Sequence, residues 1–102
     1  MNYKIIGKAL EYYGERHQID KVIEESAELI QAISKIREHQ EISCGDYTAE
    51  LRENLITELA DVYITLEYVK IVYAVNEKEL SKEIQFKINR LKERLENENL
   101  SK

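Results

Sequence analysis

The chain has 102 residues, with 15 Lys and Arg against 20 Asp and Glu and a formal net charge of −5. That length predicts one domain with a modest core, for which self-association is a natural way to bury more surface. The acidic balance argues against general affinity for nucleic acid or for an anionic membrane surface. Cys44 is the single cysteine, so neither an internal disulfide nor a cysteine-rich metal site can form, which fits a reducing cytoplasm. No stretch approaches the roughly 20 apolar residues that cross a bilayer, and the start MNYKIIGKALEYYGERHQ lacks the apolar run of a signal peptide. A soluble, intracellular protein is expected.

Without proline, the chain is punctuated mainly by Gly7, Gly14 and Gly45. Residues from about Tyr3 to Tyr13 read as a short helix with Ile5, Ile6, Ala9 and Leu10 on its apolar side, closed near Gly14. From about Gln18 to His39, Ile19, Val22, Ile23, Leu29, Ile30, Ile33 and Ile36 recur at helical spacing and predict the first long helix. The segment HQEISCGDYTA then reads as a connecting loop, with Asp46 or Thr48 placed to cap the next helix.

That helix is predicted from about Ala49 to Val75. Its second half, LADVYITLEYVKIVYAV, is apolar around most of its circumference, so part of it is expected to pack against another subunit. Asn76 with Glu79 three positions on resembles a capping box with Asn in place of Ser or Thr, opening a last helix that continues to about Glu98. Leu80, Ile84, Ile88, Leu91 and Leu95 form its apolar line, and residues from about 97 to 102 are expected to fray. The fold class is all-α, an antiparallel helical bundle in one domain spanning 1–102 and assembled as a homodimer or homotetramer.

Two acidic pairs stand out. Glu25 and Glu28 are three residues apart, as are Glu58 and Asp61; on a helix such partners differ by about 60° and rise about 4.5 Å, so both carboxylates of a pair can approach one ion. Glu25 borders the apolar stripe of its helix, and Glu58 is embedded between Leu51, Leu55 and Val62. One such pair alone more often marks a solvated helix face, since glutamate is a good helix former. Two pairs, each bordering an apolar stripe, point instead to a divalent cation that offsets their repulsion. Oxygen donors without histidine or cysteine favour Mg²⁺ or Mn²⁺ over zinc. A carboxylate di-iron bundle is the other use of such pairs, but its Glu-x-x-His elements are missing, and His17 and His39 read as surface or helix-end residues.

EESAE at 24 to 28 followed by ELAD at 58 to 61 resembles the EExxE and ExxD elements of the MazG-like all-α nucleoside triphosphate pyrophosphohydrolases. YYGERHQIDKVIEESAELIQAISK is similar to the lead-in and first metal helix of small members, and ENLITELADVYITLEYVKIVY to the second. The separation of the two motifs, residues 29 to 57, lies toward the long end for that family, which a longer loop accommodates. The resemblance implies that Glu25, Glu28, Glu58 and Asp61 bind Mg²⁺, that a nucleoside triphosphate is cleaved between its α and β phosphates, and that a nucleoside monophosphate and pyrophosphate leave. It assigns catalytic roles to Glu25, Lys87 and Arg90, and gives Glu24 a part in orienting or deprotonating water, alongside a plain exposed-face reading.

Lys87, Arg90 and Arg94 fall within about 60° of one another on the last helix and resemble the family's downstream K-x-x-R element, a phosphate-facing strip. A solvated basic face is the alternative, the more so for Arg94. Lys35 is a further cation near the first pair. Gln18 and Asn54 are candidate base or sugar contacts. Tyr12 and Tyr13 are better placed for a pocket than Tyr63, Tyr68 and Tyr73, which read as core or interface. Cys44 has no partner for nucleophilic chemistry. The competing function is a noncatalytic helical dimer that binds nucleotide or a protein partner.

Overall fold

The computed structural model describes residues 1–43, 45 and 47–100, with residues 99 and 100 in backbone only. Cys44, the capping alternative Asp46 and the last two residues of the tail expected to fray lie outside the described residues. Four helices follow one another: α1 (Tyr3–Tyr13), α2 (Glu15–Ser43), α3 (Ala49–Val72) and α4 (Glu77–Leu100). The chain is all-α, with no strand among the described residues, as its periodicity requires.

Each boundary has a local cause. Asn2 Oδ1 accepts from the Ile5 N–H at 3.2 Å to start α1. Gly14 ends it with its N–H on Leu10 O at 2.9 Å, while its own carbonyl accepts from the Gln18 N–H at 3.1 Å, so one residue both closes α1 and opens α2. Its φ of 91° and ψ of 155° lie where side chains are strained, which is why glycine stands there. Thr48 caps α3: its Oγ1 accepts from the Leu51 N–H at 3.2 Å. At the other end α3 stops at Val72, three residues before the predicted limit, because Ala74 takes φ 51° and turns the chain. Asn76 Oδ1 then accepts from the Lys78 N–H at 2.7 Å at the mouth of α4.

Antiparallel α2 and α3 form the main packed pair, and α1 lies across both. Pairing runs in opposite chain directions, with Gln18 near Thr65 and Tyr68, and Glu25 near Asp61. The core is small: Ile6, Ala32, Ile36 and Tyr68 are the buried apolar residues, joined by Gln18 and Thr65. Thr65 avoids a lost hydrogen bond by donating its hydroxyl to Val62 O at 3.0 Å.

α4 packs against none of the other helices. Lys70 brackets its beginning, donating to Glu67 Oε2 and to Glu77 Oε1, each at 2.7 Å, and these two bonds hold Lys70 above its ordinary pKa. The projecting helix stretches the chain to 52 × 36 × 20 Å with a radius of gyration of 18.1 Å. A compact domain of this length has a radius near 13 Å. No helix among the described residues is long and apolar enough to cross a membrane.

Candidate metal centre

The α2–α3 pairing decides which acids meet. Along α2, Glu25 turns toward α3 because it borders the stripe that holds Val22 and Leu29; along α3, Glu58 and Asp61 turn toward α2 by the same logic. Ligand oxygens of Glu25, Glu58 and Asp61 all lie within 4.8 Å of one another, and all three residues are half-buried. Glu25 Oε2 and Glu58 Oε2 are fully shielded from solvent and have no hydrogen-bond partner. Two buried acceptors without donors are costly in a folded chain.

The electrostatics follow from that crowding. The Glu25 carboxyl is pushed from 4.5 up to about 7, first by loss of solvent and then by the negative charges of Glu28 and Asp61. Glu58 is raised for the same first reason, with Glu28 and Asp61 again contributing. Lys21 opposes the rise at Glu25, and Lys35 opposes it at Glu58. Glu28 is therefore an electrostatic member of the group although it is exposed and stands outside the tight triad. An all-carboxylate donor set of this kind suits a hard divalent cation, whose charge would remove the repulsion and occupy the orphaned oxygens.

A cleft of about 140 Å³ opens beside the triad, lined by Gln18, Lys21, Glu25, Asp61, Thr65 and Tyr68, with Ile64 at its edge. At roughly 30 Å³ per water, it has room for an ion and a few waters. A nucleoside needs several hundred cubic ångströms, so a base would have to rest outside it. Gln18 is buried, and its Oε1 lies 2.7 Å from His17 Nδ1. With the ring proton on Nδ1, His17 donates to that oxygen and leaves the Gln18 amide hydrogens for another acceptor.

Other residues singled out in the sequence lie elsewhere. Glu24 is on the exposed side of α2 with Lys21 Nζ at 4.0 Å. Lys87, Arg90 and Arg94 are on α4, away from the α2–α3 pair; Lys87 faces Glu83 at 3.9 Å, and Arg90 sits 5.9 Å from the centre of the Phe86 ring. Asn54 is half-buried one turn before Glu58. Tyr12 and Tyr13 meet edge to face at 4.9 Å, and Tyr13 stacks on His17 at 5.3 Å, outside the cleft. Thr65 and Tyr68 entered the lining without a signal in the sequence, since only the register between α2 and α3 brings them there. Lys21 had one: it precedes Glu25 by four residues, hence on the same face.

No family model, curated protein or solved structure matches this chain. Its chemistry has to be read from the triad itself.

Proposed function

We propose that this chain is a Mg²⁺-dependent nucleoside triphosphate pyrophosphohydrolase, with Mn²⁺ as the alternative ion, that cleaves between the α and β phosphates and acts as a homodimer or homotetramer. The observation that carries the reading is the pair of buried, unpartnered oxygens on Glu25 and Glu58, gathered with Asp61 within 4.8 Å. These three residues would hold the ion, with Glu28 at the open side. When bound, the ion neutralises phosphate charge and makes water more acidic.

The chain's own residues divide the remaining work. Lys21 and Lys35, the cations whose charge reaches Glu25 and Glu58, are placed to meet a phosphate chain arriving at the open side. Gln18, held by His17, offers amide hydrogens to an acceptor on the substrate. Glu24, exposed on α2 next to Glu25 in the chain and 4.0 Å from Lys21 Nζ, keeps its proposed part in orienting attacking water. Lys87, Arg90, Arg94 and Asn54 keep their proposed substrate contacts, although α4, which carries the three cations, packs on neither α2 nor α3 within one chain, and Asn54 of α3 stands outside the cleft lining.

Pyrophosphate release from a panel of canonical and modified nucleoside triphosphates, with and without Mg²⁺, tests the reading. Turnover should require the ion, and Glu58→Gln or Asp61→Asn should abolish it while helicity is retained. No turnover on any member, together with no gain in thermal stability from Mg²⁺, refutes it. The competing reading, a noncatalytic dimer that binds nucleotide or a protein partner, accounts for the large exposed apolar surface equally well and expects that negative result.

A further inference from the structure

We propose that a second copy of this chain covers α4 and the groove between α4 and α3, each copy laying its α4 on the partner's α3. This rests on the homo-oligomer part of the reading above and holds whether or not the carboxylate triad turns over nucleotide.

A lone 24-residue helix in water with half its apolar line exposed is an incomplete structure. Leu80, Ile84, Ile88, Leu91 and Leu95 fall within an arc of about 80° around α4. Ile84 is 49%, Ile88 53%, Leu91 50% and Leu95 54% exposed, values that belong to a surface rather than to a stripe seated on a core. Opposite them, Tyr63, Leu66, Val69 and Val75 of α3 and its following turn join Leu80 and Ile84 in lining an apolar groove of about 460 Å³. Nothing else among the described residues fills it.

Surface area identifies the occupant. A folded monomer of 12.1 kDa exposes about 6,000 Å² on the usual scaling, whereas this chain exposes 8460 Å². The excess of about 2,400 Å² is far above the roughly 800 Å² that each side of a standard complex contributes, and it falls in the range of obligate, core-like dimers. Charge agrees with a second copy. Between Lys82 and Arg94, α4 carries Lys82, Lys87, Arg90, Lys92 and Arg94 against Glu83 and Glu93, while the rest of the chain is acidic. An isologous pair sets this basic stretch beside the partner's acidic body twice, by symmetry. The apolar arc and the Lys87–Arg90–Arg94 edge are neighbours on α4, so covering the first leaves the second at the rim of the interface.

Light scattering on the full chain reads the outcome without reference to turnover or metal. The wild type should show twice the chain mass down to low micromolar concentration. Ile88→Asp combined with Leu91→Asp should return it to the mass of one chain, since these residues contact nothing in α1–α3. Ile23→Lys, which alters an exposed apolar residue on α2 that does not line the groove, should leave the mass doubled. Hydrogen exchange supplies a readout that needs no variant: amides of α4 should be protected in the assembled wild type and lose protection on dilution. A wild type with the mass of one chain, a double variant that keeps the doubled mass, or an α4 that exchanges freely in the assembled protein each overturns the proposal; the first assigns the groove to a different macromolecule.

Discussion

Replacing Glu25 with Gln should raise the stability of the metal-free protein at pH 8. The folded carboxyl titrates at about 7 against an ordinary 4.5, so folding disfavours its charged form. Stability tied to this group is fully present below pH 4.5 and is lost as pH rises through about 7; the wild type should therefore weaken between pH 5 and pH 8. The whole displacement corresponds to roughly 3 kcal/mol. Glu25 is only half-buried at an open cleft, and solvent screening reduces the figure to about 1 kcal/mol. For a domain near 100 residues, that is a melting-point gain of about 4–8 °C for Glu25→Gln over wild type at pH 8, shrinking to nothing near pH 4.5. Differential scanning fluorimetry across pH 4.5–8, at fixed protein concentration and with chelator, measures it. Mg²⁺ should invert the order, since an ion at about 100 times its Kd stabilises the wild type by about 2.7 kcal/mol and the variant has lost a ligand. A variant that is less stable than wild type at pH 8 without metal, or a difference that does not change with pH, refutes the reasoning about repulsion in the triad.

Three further changes probe the frame around the site. Gly14→Ala forces a side chain into a conformation that only glycine adopts easily and should cost about 1–3 kcal/mol in urea unfolding, although the space around Gly14 is open. Thr48→Ala removes the acceptor for the Leu51 N–H and should cost about 1 kcal/mol, seen as a lower urea midpoint at unchanged slope. Ala74→Gly relieves the positive φ between α3 and α4 and should stabilise by up to about 1 kcal/mol in the same assay.

Helical periodicity made most of the fold legible before any coordinates. The misplaced boundaries have local reasons. α2 begins at Glu15 rather than near Gln18, because Gly14 turns the chain in a single residue. It continues past His39 to Ser43, whose hydroxyl donates to His39 O at 2.8 Å and extends the last turn. The meeting of Glu25 with Asp61 and Glu58 was foreseeable from spacing, since each acid borders the stripe that packs. Thr65 and Tyr68 were not foreseeable as neighbours of Gln18, because that proximity comes from the register between two helices and leaves no mark on either. The cations show the same limit more sharply. Periodicity places Lys87, Arg90 and Arg94 on one side of α4, yet the sequence carries nothing about which element that side approaches, and within one chain it approaches none.

The isolation of α4 also orders the events of folding. Helix packing within one chain joins only α1, α2 and α3, the Lys70–Glu77 ion pair being a tie at the mouth of α4, and the main packed pair joins neighbours across a short connection. Loop closure is then inexpensive and collapse rapid. A ribosome delivers the N-terminal side first, at about 5–20 residues per second, so α1, α2 and α3 emerge ahead of α4 and can begin to pack the interior, the triad included, before it. The nascent protein would acquire its carboxylate cage as a solitary chain and its apolar arm afterwards, which postpones the exposure of that arm until the interior is already packing.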